Sequence, residues 1–476
     1  MRRALLPPSP RAVVAAGVLA YAGGFAALSV LRHEAFFTGR FDLGNMVQAV
    51  WSTAHGHPLQ MTSLRGEQIS RLAAHVDPIL VVFTPLWWLW PSPNMLLVAQ
   101  AIALALGAVP VYLLARKHLT SARAGVGFGL AYLLYPATGW LTLNEFHPVA
   151  LATPLLLFAF WYLDEERLFA FAACAVAASL CKEEIALVVA GFGIWYALAR
   201  RRRLAGALIA AAGSAWAAIA IGVVIPHYNT GAESAFYGRY SEVGGSAGGI
   251  LETLFTDPLR IAEAAFSSRD LRYLLHLVAP LAALCLLSPL VLIAALPELA
   301  INLLSATTTQ TSIHFHYTAG LIPPLVIAAV FGAKRIGRRA VPVATIALLA
   351  AIAGNYWLGP IPGWRHLPGG QQFQATAARV TDHDRVAARA LELIPANAVV
   401  SATNTLGGHL SERRRLLSFP FLQDATWVAA DETQPGYADR HAPVPTAVQL
   451  AALRRNPDWR LVFQEDGILV FRRATS

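Results

Sequence analysis

The chain has 476 residues, of which 56% are hydrophobic and only 14% charged, with a formal net charge of +9. Soluble domains carry about 25% charged residues. Here uncharged runs of membrane length recur (Ala12–Leu31, Asn94–Ala115, Ala124–Leu143, Leu204–Pro226 and Leu277–Pro297), which excludes a soluble globular protein. The positive excess lies in short clusters between these runs, the pattern of cytoplasmic loops, and needs no nucleic-acid partner to explain it.

In chain order, the opening MRRALLPPSPRAVVAAG begins like a signal peptide, but its apolar stretch is too long and no small-residue cleavage site ends it. It reads as a retained first span. Eleven spans are expected, near 12–32, 94–115, 122–140, 146–163, 168–181, 185–199, 204–226, 273–291, 292–306, 317–333 and 340–358. The segment Pro78–Trp90, ending in Trp87, Trp88 and Trp90, is short and reads as an interfacial or re-entrant helix. With it not crossing, one side receives Arg2, Arg3, Arg11, Arg116, Lys117, Arg123, Arg200 to Arg203, Lys334, Arg335, Arg338 and Arg339. That side is expected to be cytoplasmic, with the N-terminus on it. The three cysteines, Cys174, Cys181 and Cys285, lie in apolar segments and imply no disulfide or metal site.

The opposite side is expected to hold long loops at about 33–93 and 227–272, and the tail. A membrane domain is expected over 1–364, and an extracytoplasmic α/β domain over 365–476. In the tail, Asp384–Ile394 has helical spacing, and Ala398–Ala402, Trp427–Ala430, Leu461–Phe463 and Gly467–Arg472 read as short strands.

Ionisable residues crowd that same face. In FDLGNMVQAVW, Leu43, Met46, Val47, Val50 and Trp51 form one apolar stripe of a helix expected to float at the membrane surface. Asn45, Gln48 and Ser52 lie off the stripe, and Asp42 stands either as the helix cap or as a functional acid. The same loop brings His55, His57, His75 and Asp77. LTLNEFHP brings Glu145 and His147, CKEE brings Lys182, Glu183 and Glu184, and IHFHY brings His314, His316 and Tyr317. Each cluster alone can be a helix end, a solvated loop or a salt bridge. The His314/His316 pair alone is a weak metal signal. Four clusters on one face point to a shared polar cavity, since such groups are costly near hydrocarbon.

FDLGNMVQAVW with HGHPL, NEFHPVALATPLLLFA, CKEEIALVVAGFGIWYAL and HYTAGLIPPLVIAA resemble the DUF2079 family of bacterial polytopic membrane proteins, and IPANAVVSATNTLGGHLSERRRLLSFP fits its external part. That family is similar to the GT-C glycosyltransferases. The resemblance implies a mainly α, polytopic GT-C-like bundle in the bacterial cytoplasmic membrane. It implies transfer of a sugar from a polyprenyl-phosphate carrier to an acceptor (glycan, lipid or protein) outside that membrane. It also implies an acid after the first span that serves as base or as metal-linked acid, at the position of Asp42. Relatives often carry two acids as Asp-x-Asp or Glu-x-Asp, whereas Asp42-Leu43-Gly44 has one. A divalent metal is therefore left open.

On this reading Asp42, Glu145 and Glu183 are the catalytic candidates. Asn45, Gln48, His55, His75, His147, Lys182, His314, His316 and Tyr317 are the substrate-binding candidates, with the lysine and histidines steadying the leaving phosphate. The alternative is a transporter or receptor-like protein without catalysis. A transporter would be expected to show mid-membrane charges on broken, repeated spans, and no repeat is visible.

Overall fold

The computed structural model describes residues 8–231, 235–337, 339–372, 375–440 and 444–474. Arg2, Arg3 and Arg338 of the basic clusters lie outside them. The molecule is mainly helical. Four helices are long and apolar enough to cross a membrane: Pro10–Glu34, Pro93–His118, Arg203–Tyr228 and Ala340–Leu358. The pair Ala122–Leu134 and Pro136–Leu143, bent by 45°, makes a fifth if counted as one span. Pro136 explains the bend, because its ring cannot continue the preceding turn. The other expected crossings are shorter helices (Pro148–Asp164, Leu168–Ser179, Ile185–Ala199, Pro289–Leu303) or are broken. The stretch near 273–291 is interrupted at Ala282 and Ala283, both left-handed. The count of eleven thus rests on short and broken elements.

Two ends of the bundle differ in chemistry. At one end the basic loops meet. Asp164 receives Lys117 at 2.6 Å and His118 at 2.9 Å, Lys334 Nζ lies 3.3 Å from His118, and Arg202 pairs with Glu166 at 2.7 Å. At the other end lie the connectors that carry Asp42, Glu145, CKEE and IHFHY, together with the tail.

Pro78–Trp90 folds as a 3-10 turn, Pro78–Phe83, running into the helix Thr84–Leu89, with Trp88, Leu89 and Trp90 exposed. The helix Asn45–Ala54 does not float. Leu43, Met46, Val47 and Val50 are buried in the bundle core, as expected, but Gln48 and Ser52 on the opposite face are buried as well. The tail covers that face, so the helix is clamped between two bodies. Asp42 caps no helix either. It lies inside a π-helical turn, Arg40–Gly44, whose N-cap is Gly39.

The tail is a layered α/β unit. After a small antiparallel hairpin in the first loop, β1 (Gln60–Thr62) with β2 (Gln68–Ser70), the remaining strands are β3 (Val400–Ala402), β4 (Leu416–Ser418), β5 (Trp427–Asp431), β6 (Trp459–Glu465) and β7 (Ile468–Arg473). Their order is β4-β3-β5-β7-β6, with β4, β3 and β5 parallel and β7 and β6 antiparallel. The helix Asp382–Leu391, opened by a Thr381/Asp384 capping box, packs Val386 and Ala390 on one sheet face against Val400 and Val470. The helix Thr446–Arg455 packs Leu450 and Leu453 on the other, against Val428 and Phe471. Of the five strands of the tail sheet only β4 had no counterpart in the sequence reading, because LLS is too short to show alternation, and the helix Thr446–Arg455 was not singled out there either.

Candidate functional site

The site is built where short helices stop at the tail-bearing end. The connector Asn144–His147 joins Pro136–Leu143 to Pro148–Asp164, and Pro148 forces that start. Glu145 there is left-handed, at φ 52°, a strained conformation for a residue with a side chain. The strain places its carboxyl under the Asp42 turn. Oε2 accepts the backbone N–H groups of Gly39 at 3.0 Å and Leu43 at 2.9 Å. Gln100 fixes the connector from below, donating to the Glu145 carbonyl at 2.5 Å and accepting His147 N–H at 2.9 Å.

His147 donates Nδ1–H to the Asn144 carbonyl at 2.7 Å, which turns Nε2 toward Asp42 Oδ1 at 3.3 Å. Asp42 keeps 49% of its side chain accessible, whereas His147 beside it is buried. Burial alone would raise its carboxyl. The His147 bond and charge, with Arg71 nearby, instead hold it below its ordinary value. Glu145 goes the other way, to about 8, first through burial and then through the Asp42 charge, with the two backbone bonds opposing. At neutral pH Asp42 is therefore ionised and Glu145 carries a proton. Paired acids with separated affinities are a recurring catalytic arrangement.

From this pair the polar residues run on without a gap. His147 stacks on His316 with ring centroids 3.8 Å apart, and His316 packs on Tyr317 at 4.2 Å. Asn144 Oδ1 accepts the His316 backbone N–H at 3.0 Å. Burial, then the His147 and Lys182 charges, keep His316 far below the usual histidine range, hence neutral. The Tyr317 hydroxyl meets Arg239 at 3.3 Å, and Lys182 Nζ lies 5.8 Å over the Tyr317 ring. Arg239 and His75 both pack on Phe236, and His75 pairs with Glu183 at 2.8 Å.

The structure thus brings together Asp42, Glu145, His147, His316, Tyr317, Lys182, Glu183 and His75. The other candidates lie apart. His55 stacks on Trp51 at the surface, and Asn45 bonds to the Phe41 carbonyl of its own helix. Gln48 is buried, its amide bound to Thr62 and to the Arg413 and Arg414 carbonyls of the tail. His314 faces Ser312 and Trp140 to one side. Lys182 reaches the cluster already paired, 2.5 Å from Glu184, with Glu183 and Glu298 also acting on its charge.

Two cations escaped the sequence reading. Arg71 pairs with Asp77 at 2.8 Å and adds positive potential at Asp42. Arg239 meets, among the described residues, aromatic faces and the Tyr317 hydroxyl and no carboxylate. Neither carries a local signal, since each lies in a loop with ordinary charge spacing. Glu145 Oε2 is taken by two amides, His147 Nδ1 by a carbonyl, and no group of three His, Cys, Asp or Glu is arranged to hold a metal ion among the described residues.

The fold is thus a bundle of long and interrupted apolar helices with an α/β tail at the end that carries the acids and histidines. Two crystal structures of ArnT from Cupriavidus metallidurans share it. The one bound to undecaprenyl phosphate superposes with a TM-score of 0.55 at 13% identity, over 98% of each chain. The apo form gives 0.53 at 13% identity, over 97% of this chain and 98% of that one. No curated protein matches in sequence. The chain belongs to the family described as predicted membrane protein (DUF2079), whose profile matches residues 32–470.

Proposed function

We propose that this protein is an integral-membrane glycosyltransferase that moves a sugar from a polyprenyl-phosphate carrier to an acceptor at the tail-bearing face. The observation that carries this reading is the ionised Asp42, half accessible and held by His147 at 3.3 Å. In an inverting transfer, Asp42 takes the proton from the acceptor hydroxyl as its oxygen attacks the anomeric carbon. The bond from that carbon to the phosphate oxygen breaks, and the polyprenyl phosphate leaves with the electron pair. Among the described residues no carboxylate pairs with Arg239, unlike Lys182, and Arg239 is the cation assigned to receive that phosphate. Protonated Glu145 holds the turn without adding a second negative charge beside the attacking oxygen.

The test is Asp42→Asn in the full-length protein, assayed for transfer from polyprenyl-phosphate sugars. Asparagine preserves shape and cannot accept the proton. Turnover should fall by roughly 10²–10⁴-fold, with undecaprenyl-phosphate binding and thermal stability unchanged. Full transfer in the variant would remove Asp42 as the base.

A further inference from the structure

The turn that carries Asp42 is gripped from two directions. From the membrane side Glu145 binds the amides of Gly39 and Leu43. From the tail side the grip is Arg40, two residues before Asp42 and only 2% exposed. Its Nη2 donates to the Thr62 carbonyl at 2.8 Å and to the Leu416 carbonyl at 2.8 Å, its Nε to Leu416 at 3.2 Å and its Nη1 to the Ser418 hydroxyl at 2.6 Å. A guanidinium buried among neutral oxygens, with no carboxylate partner among these contacts, holds its place through the fork geometry of its donors. It therefore rivets the first-loop hairpin and β4 of the tail onto one turn. Asn404 of the tail adds a second hold, its Oδ1 accepting the Phe41 N–H at 3.3 Å. Neither residue was a candidate in the sequence, since a lone arginine or asparagine outside a periodic run carries no local signal.

We infer that the tail is a structural half of the site. Arg40 is a positioning residue, and the Asp42 turn holds its working geometry only while the tail is docked. This rests on the proposed function for its catalytic consequence, but the docking itself is independent of it. Undocking would take from the guanidinium its Leu416 and Ser418 partners and from the Phe41 amide its Asn404 partner, leaving the turn on Glu145, His147 and the first-loop Thr62 carbonyl. A base displaced by about 1 Å can cost on the order of 100-fold in rate while substrate still binds.

The experiment uses full-length Arg40→Met, with Arg40→Lys beside it, and a covalent lock made by Thr38→Cys with Gly408→Cys. A Cβ on Gly408 would lie 3.3 Å from the Thr38 Oγ1, close enough for a disulfide to form across the junction. Hydrogen exchange at the amides of Phe41 and Gly44 reads docking without any substrate. In Arg40→Met these should exchange at least about tenfold faster, while the amides of Pro93–Leu106 keep their wild-type rates. In transfer assays kcat should fall about 10- to 100-fold, with KM for the polyprenyl-phosphate sugar within about twofold. Arg40→Lys, a single point charge, should recover only part. Oxidising the cysteine pair in the Arg40→Met background should restore both exchange protection and kcat, and reduction should remove them. Unchanged exchange at Phe41 and Gly44 overturns the inference, as does normal kcat with fast exchange, or a formed lock that rescues exchange but not turnover. If the wild-type protein transfers no sugar from any polyprenyl phosphate, the proposed function fails while the exchange measurements still decide the docking.

Discussion

Asp42 and Glu145 show how two like residues are given opposite states by their surroundings. Asp42 has a histidine and an arginine to favour its charge, whereas Glu145 has burial and the Asp42 charge against it. The raised Glu145 has a consequence for stability. The folded chain keeps its proton up to about pH 8, whereas an unfolded glutamate loses it near 4.5. Between these values the folded state binds one proton more, so this contribution is complete below about 4.5 and is lost as pH rises to about 8. Glu145→Gln keeps an oxygen for both amides and cannot ionise. The melting temperature of the wild type should therefore fall relative to the variant between about pH 4.5 and 8. A constant difference across that range would mean Glu145 is ionised throughout. Arg239 makes the second prediction at this scale. If it receives the departing phosphate, Arg239→Gln should weaken undecaprenyl-phosphate binding by about ten- to a hundred-fold, the effect of losing one charge-assisted contact. Equal binding in isothermal titration would shift that role to another cation.

Among the elements, the paired helices Ile185–Ala199 and Arg203–Ile219 carry the CKEE connector at one end and the Arg200–Arg203 loop at the other. In lipid there is no hydrophobic drive to join two apolar helices, so small residues must let them approach closely. A Cβ on Gly206 would lie 2.5 Å from the Ala197 nitrogen, and one on Gly193 2.5 Å from the Ala210 nitrogen. Backbone cannot yield as a flexible side chain can. Gly206→Val should cost on the order of 1–3 kcal/mol, as overpacking does, and lower the thermal midpoint in detergent. An unchanged midpoint would show that this helix pair separates freely. The same element logic explains the broken spans. Helices that stop short at the tail-bearing end leave their connectors, and the polar side chains on them, packed against one another and the tail.

For the whole molecule, the gathering of Lys117, His118, Arg200 and Lys334 at one end gives the bundle a polarity. Short basic loops stay on the cytoplasmic side during insertion. Reporter fusions at Arg203 and at the C-terminus should therefore lie on opposite sides, with Arg203 cytoplasmic. Both on one side would mean that the number of crossings between them is wrongly assigned. The tail's own packing around Val400, Val428 and Phe471 is that of a small layered domain, yet Arg40, Gln48 and Asn404 tie it to the first loop.

Composition and periodicity alone determined the membrane bundle, the tail with four of its five sheet strands, and the crowding of ionisable clusters toward one face. These are local properties: a run of apolar residues or an alternation of strand residues declares itself within about twenty positions. The eight residues of the cluster could be nominated for the same reason, each by its own short motif. Their order in space could not. That Glu145 supports the Asp42 turn and that Gln48 is held by the tail are set by chain segments more than a hundred positions distant, and that His55 and Asn45 turn to local partners is set by one turn of helix phase. The helix after Asp42 reads as amphipathic and surface-lying because its second buried face is polar, and only the tail, some 360 residues later, shows why Gln48 is there. Arg40 and Arg239 were invisible for the same physical reason. A charge in a loop carries no periodicity, and its role is fixed by the partners that folding brings to it.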